Sequence, residues 1–327
     1  MAKVNLDLKD KKIVYELDVD GFMPNSVIAK KVGLSKQVVG YRIKQLQKKG
    51  IIRKVYPILN LDMLGFYGHK IYFQMQNLNS EKEKQIISYF EKHKNVVWFG
   101  IYEGRYDFVV SIFDKNKISF DLTLSKILTD LQKYIVDFDL ATYTGVFSFK
   151  KNYLVKQKSS ESSFFGGEDK LVYLADVEKK ILKCLCKDAR MTSAFVAEKV
   201  GISLDSVISK IKKLKKSGVI QGSRVMIDKR KMNISEFKIL LNLKNYDEET
   251  HKKFINFSKA NKYVVACIKT IGPWNLELDI EIPDLNLLHP LLLDLKTEFA
   301  DSIKKIETIM LYDEFKYNFY PFELVPG

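Results

Sequence analysis

Between Lys36 and Lys54 the chain carries seven basic residues and no acidic one. Side chains of that kind neutralise phosphate, and among them stand groups able to read a base edge. Gln37 could bond adenine bidentately, and Lys36 or Lys44 could reach guanine. On a helix beginning at Lys36, Ser35 would cap the first turn, Lys36, Gln37, Gly40, Tyr41 and Lys44 would face outward, and Arg42 would lie on the flank. Lys48 and Arg53 close the run where backbone contacts are made. A second cluster comprises Ser203, Lys210, Lys212, Lys213 and Lys216. Asp205 sits near the start of its helix and could accept from a cytosine amino group or repel phosphate. This second set is therefore expected to hold the backbone of double-stranded DNA more than to read bases.

The two clusters are one pattern written twice. At an offset of 168 residues, Ile181, Leu185, Ala197, Val200, Gly201, Ser203, Val207, Ile211, Leu214, Gly218 and Ile220 fall on Ile13, Leu17, Ala29, Val32, Gly33, Ser35, Val39, Ile43, Leu46, Gly50 and Ile52 without a gap. Identity confined to apolar, glycine and cap positions is what a duplicated fold retains while its surface diverges. The spacing predicts helices over Lys9–Val19, Asn25–Val32 and Lys36–Lys49. A turn at Gly33-Leu34-Ser35 joins the last two, and a short strand or wing follows over Ile51–Leu59. That is a winged helix-turn-helix, with Val39, Ile43 and Leu46 inward and Ala29 small where two helices cross.

Charge follows the same division. Residues 1–60 hold 13 basic and 5 acidic side chains and residues 169–228 hold 13 and 7, whereas 61–168 and 229–327 are nearly balanced at +1 and −1. The whole excess of +14 thus sits on the two helical segments, which points to a polyanionic partner met there.

Other classes find less support. Three cysteines, Cys184, Cys186 and Cys267, without a Cys-x-x-Cys spacing, fit a reducing compartment, so a cytoplasmic, nucleoid-associated location is expected. Neither a signal peptide nor a membrane-spanning run is apparent, and no membrane partner is expected. The four histidines are scattered without ligand spacing. No metal site, cofactor or catalytic group is anticipated.

After each helical segment the rhythm changes to strand, helix, strand, strand, helix, strand. The first copy gives 69–76, 80–92, 96–102, 108–113, 117–134 and 136–143; the second gives 237–243, 247–260, 264–271, 276–282, 285–299 and 303–311. This is the ferredoxin-like βαββαβ order. An α+β fold results, with two winged helix-turn-helix domains (1–60 and 170–228) and two βαββαβ domains (61–155 and 229–327). The serine- and glycine-rich stretch 156–169 reads as a flexible linker. The aromatic tails, Phe147 to Tyr153 and Phe315 to Phe322, read as edge strands.

In layout and motif the chain resembles the Lrp/AsnC (feast/famine) family of prokaryotic transcriptional regulators. The residues carrying the likeness are Leu6-Asp7, Ala29-x-x-Val32-Gly33-Leu34-Ser35, Val39-x-x-Arg42-Ile43-x-x-Leu46-x-x-x-Gly50-Ile51-Ile52 and Gly104-Arg105-Tyr106-Asp107. The second copy departs from it: Lys210 replaces Arg42, Leu204-Asp205 replaces Lys36-Gln37, Ser209 replaces Tyr41, and Gly272-Pro273-Trp274-Asn275 replaces the last motif.

The resemblance implies paired βαββαβ sheets presenting two DNA readers, here within one chain as a pseudo-dimer with the sheets packed together. It also implies a site for an amino acid or other small effector near Gly104 and Asp107, with Gly272 and Asn275 as degenerate counterparts. The same residues could instead simply turn a hairpin. Whole chains could self-associate through outer sheet edges and the aromatic tails. Two alternatives stay open. Sirohaem decarboxylases of haem biosynthesis share the layout, although the histidine their motif uses is missing from 96–113 and 264–282. A nucleoid-compacting protein would bind phosphate with the same lysines.

Overall fold

The computed structural model describes residues 6–155, 162–167 and 170–323. Helices α1 (Leu8–Val19), α2 (Asn25–Val32) and α3 (Lys36–Lys48) lead into strand β1 (Ile52–Leu59). Asp7 and Ser35 cap α1 and α3 by accepting from the N–H groups of Asp10 and Val38, which satisfies donors that a helix start leaves open. Gly33 ends α2 at φ 67°, a conformation that favours glycine. Ile28, Val39, Ile43 and Leu46 are buried as the periodicity requires, and Ala29 is buried with them.

The first βαββαβ unit follows: β2 (Tyr67–Met75), α4 (Ser80–Lys92), β3 (Val96–Glu103), β4 (Phe108–Asp114), α5 (Lys117–Leu131) and β5 (Ile135–Phe149). Strand β6 (Ser162–Phe165) lies inside the stretch expected to be a flexible linker, pairing with β5 through Phe149↔Ser162 to Val146↔Phe165. Residues 156–161 and 168–169 of that stretch lie outside the described residues. The second copy gives α6 (Asp176–Lys187), α7 (Ser193–Val200), α8 (Leu204–Lys216), β7 (Ile220–Ile227), β8 (Ser235–Leu243), α9 (Glu248–Ala260), β9 (Val264–Ile271), β10 (Leu276–Ile282), α10 (Leu288–Glu298) and β11 (Ile303–Tyr317).

The two copies join by exchanging strand ends, not only by facing sheets. Strand β5 pairs with β2 of its own copy up to Thr142, then continues along β9 of the other copy, with Val146 opposite Ile268. Strand β11 does the same, leaving β8 and running along β3, with Leu311 opposite Tyr102. The order β2-β4-β3-β11-β8-β10-β9-β5, closed by the β2–β5 pair, makes a barrel. The residues expected as aromatic edge strands, Phe147–Phe149 and Phe315–Tyr317, are instead the crossing ends of β5 and β11. The barrel strands are thus paired on both sides within the chain, while β6, β1 and β7 each keep one edge without a strand partner among the described residues.

A second sheet lies beside the barrel: wing strands β1 and β7 pair with each other, antiparallel, Val55 opposite Val225. Each helix-turn-helix core takes residues from the other copy's wing, Val225 and Ile227 in the first and Leu59 in the second. The two heads are thus packed on one shared ribbon.

Candidate nucleic-acid interface and the cavity behind it

Helix α3 presents Ser35, Lys36, Gln37, Tyr41, Lys44 and Lys48 to solvent, Tyr41 at 64 % exposure. Gln37, Tyr41, Lys44 and Lys48 lie opposite buried Val39, Ile43 and Leu46, with Lys36 and the cap Ser35 at the helix start, and a recognition helix offers its first turns to the major groove. Lysines at both ends of a neutral centre suit phosphates flanking a few read bases.

Two arginines expected on DNA also make bonds within the chain. Arg42 donates to Asp7 at 2.7 Å and Asp10 at 2.8 Å, tying α3 to the start of α1. The Asp10 N–H and the guanidinium of Arg42 together hold the Asp7 carboxyl below its usual range. Arg53 donates to Asp228 at 2.9 Å and to the Glu314 carbonyl at 3.1 Å. It fastens β1 to the second copy, since a half-buried guanidinium needs acceptors more than a distant phosphate.

Helix α8 is built alike and dressed differently. Ser203 caps it, accepting from the Ser206 N–H at 3.3 Å. Lys212, Lys213 and Lys216 are exposed and Lys210 is half-buried; Lys213 also pairs with Glu178 at 3.3 Å. Lys215, also exposed, lies over the ring of Phe22 with its ammonium 3.7 Å from the ring centre. Leu204 and Ile208 stand exposed at 45 % and 49 %, where the first copy has Lys36 and Gly40. An apolar side chain can touch a thymine methyl but cannot hold a phosphate.

The two heads are clamped across the copies. Arg190 donates to the carbonyls of Gly21 and Met23 at 2.9 and 3.0 Å and to Asn25 at 2.5 Å. Arg224 donates to buried Asp18 at 2.8 Å. Neither clamp was legible in the sequence, where both residues counted only as surface charge.

The candidate effector residues hold the fold. Asp107 accepts from the Met75 N–H at 2.7 Å, and Asn275 accepts from the Leu243 N–H at 2.8 Å, the same bond in each copy. Burial raises the Asp107 carboxyl. Gly104 and Gly272 have φ 123° and 153°, and each packs on the other copy's last strand, against Ile309 and Leu140 respectively. A Cβ at Gly272 would meet the Leu140 carbonyl at 2.5 Å. These loops are thus hairpin turns seated inside the pseudo-dimer interface.

A cavity of about 360 Å³ lies between the wing ribbon and the barrel. Tyr56 and Arg224 line it from the wings, and Trp98, Lys238 and Asp279 from the barrel. Its charges lie at buried positions that strand alternation would assign to solvent. Lys70 donates to Glu277 at 2.5 Å, Lys238 reaches the same carboxylate at 3.1 Å, and Tyr72 donates to it at 2.6 Å. Against the cost of burial, the two lysines hold Glu277 far below the usual carboxylate range.

Comparison with known proteins falls on the same repeat. The family model described as winged helix-turn-helix DNA-binding matches residues 6–53 and again 174–221. The chain is similar to the regulatory protein AsnC of Haemophilus influenzae, 31 % identical over 138 residues, covering 41 % of this chain and 88 % of that protein. It is also similar to the HTH-type transcriptional regulator FL11 of Pyrococcus abyssi, 34 % identical over 116 residues, covering 35 % of this chain and 74 % of that protein. Among solved structures, the siroheme decarboxylase NirDL in co-complex with an iron-uroporphyrin III analogue superposes with TM-score 0.62 over 97 % of this chain and 96 % of that one, at 15 % identity. That likeness is one of fold.

Proposed function

This chain belongs to the Lrp/AsnC family of transcriptional regulators, and from that premise we propose that it reads an asymmetric DNA site as a single-chain pseudo-dimer. The observation that carries the reading is the contrast between two helices set in the same frame. Helix α3 offers Lys36, Gln37, Tyr41 and Lys44; α8 offers Leu204, Asp205, Ile208 and a lysine-rich C-terminal half. A two-fold pair of identical helices selects inverted half-sites. Unlike helices select unlike halves, here one specified by polar base contacts and one by phosphate and thymine methyl contacts.

Sequences selected from a random DNA pool should therefore contain one strongly and one weakly constrained half. A perfect short palindrome among the winners would overturn this.

The likeness to a siroheme decarboxylase supports a second reading, an enzyme acting on a tetrapyrrole. The cavity favours the regulator. Among the described residues no histidine lines it, and its walls hold more carboxylates than cations, a poor lining for a ligand bearing many carboxylates. Purified protein should carry no porphyrin absorbance and should leave sirohaem unchanged.

A further inference from the structure

We propose that the cavity between the wing ribbon and the barrel binds a small organic cation carrying a primary amine. Its walls show five cationic side chains against six carboxylates, and a seventh carboxylate, Glu277, lies behind Lys70 and Lys238. The imbalance is local. Glu236, Glu281 and Glu314 converge on the single ammonium of Lys229, and Glu281 also takes Lys151 at 2.6 Å and the hydroxyl of Tyr153. Three carboxylates thus share two lysines, all of them largely withdrawn from bulk water. Burial, with Glu281 and Glu314 opposing Lys229, pushes the Glu236 carboxyl up to about 7. With two lysines for three carboxylates, Glu236 keeps a share of its proton at neutral pH, and a ligand ammonium would supply the missing charge and release it.

The acids are not demanded by the fold. The first copy has Gly68, Phe113 and Val146 where the second has Glu236, Glu281 and Glu314. Aromatic groups complete the site: Trp98 donates its indole N–H to Glu314 at 3.2 Å, and Tyr56, Tyr102 and Tyr317 also line the walls. Rings beside carboxylates are a lining that attracts ammonium groups.

Because β1 and β7 form one wall and lead directly from α3 and α8, occupancy should alter how the heads sit on DNA. This coupling rests on the regulator reading; binding itself does not.

The test uses the full chain with cadaverine, glutarate as its dicarboxylate of equal length, and sodium chloride at matched ionic strength. Cadaverine should raise the melting temperature and shift Trp98 emission in a Trp274→Phe background. Glutarate and salt should do neither. Glu314→Gln should weaken cadaverine about tenfold, the loss of one charge-assisted hydrogen bond, and Glu236→Gln provides a second variant. A response to glutarate or uroporphyrin in place of cadaverine, or cadaverine binding unchanged in both variants, would overturn the proposal. DNA affinity is measured separately with and without cadaverine: occupancy without any change there would remove the coupling and leave the site.

Discussion

Lys70 and Lys238 occupy equivalent places on β2 and β8, 168 residues apart, and converge on one carboxylate, Glu277, at 2.5 and 3.1 Å. The first copy has Val109 where Glu277 stands in the second. A symmetric dimer would bury two such carboxylates or none, so the pairing belongs to a chain free to differ from itself. Removing one partner of a buried ion network leaves the other charge stranded, which costs about 3–5 kcal/mol.

Glu277→Gln should accordingly lower unfolding stability by about 3 kcal/mol at neutral pH. Its pH dependence follows from the depressed native carboxyl. The unfolded side chain takes up a proton near its ordinary value while the native one does not, so stability is full above that range and is lost progressively as pH falls from it toward the lower native value. Urea unfolding between neutral and acid pH should show a shallower acid limb in the variant.

His251 gives a second acid-side dependence. It is 8 % exposed, and burial, with Lys269 nearby, lowers its imidazole to about 4. The folded state is neutral where the unfolded one charges, so stability declines as pH falls from the ordinary histidine range toward 4. His251→Gln should flatten that decline when melting temperature is followed against pH.

Charge on α3 divides by employment. Lys36→Ala with Lys44→Ala should weaken DNA binding and relax base preference. Arg42→Ala should instead cost about 1 kcal/mol of stability, the scale of a partly exposed ion pair, with preference unchanged once the protein is folded. Removing Lys212 and Lys216 from α8 should reduce the salt dependence of binding, the slope falling by about one for every phosphate no longer neutralised. Titrations at several salt concentrations, beside chemical denaturation, separate the three outcomes.

Arg190 ties the second head to the first and should help to fix the distance between the readers. Arg190→Ala removes the donations to Gly21, Met23 and Asn25 and leaves the shared ribbon. Binding to sites whose halves are moved by one base pair should then approach binding to the native spacing. Unchanged discrimination would show that the ribbon alone fixes the heads.

The helical heads were legible because their apolar period, caps and glycines repeat in register. The sheet units were legible for the same reason. What alternation could not disclose was which side of the sheet met water. Leu276-Glu-Leu-Asp-Ile-Glu-Ile282 reads as a strand with a solvated acidic face, yet Glu277 and Glu281 are 0 % and 3 % exposed. Closure turns that face inward, and closure depends on β5 and β11 crossing to the other copy, a pairing between residues far apart in the chain. The ion pairs of Arg42 and Arg53 escaped the sequence for a related reason. Counting charge locates an electropositive segment, but Asp7, Asp10 and Asp228 decide which of its members are free.

The strand exchange has a consequence for behaviour in a crowded cell. Two subunits that must find each other bind DNA as a function of their own abundance and can trade partners with any close relative. Here each half meets its mate at an effective concentration fixed by covalent connection. Binding curves should keep their midpoint and shape on dilution, and related subunits should find no vacancy to enter. Covalent pairing should convert a regulator sensitive to dosage and mixing into one far less dependent on its own abundance.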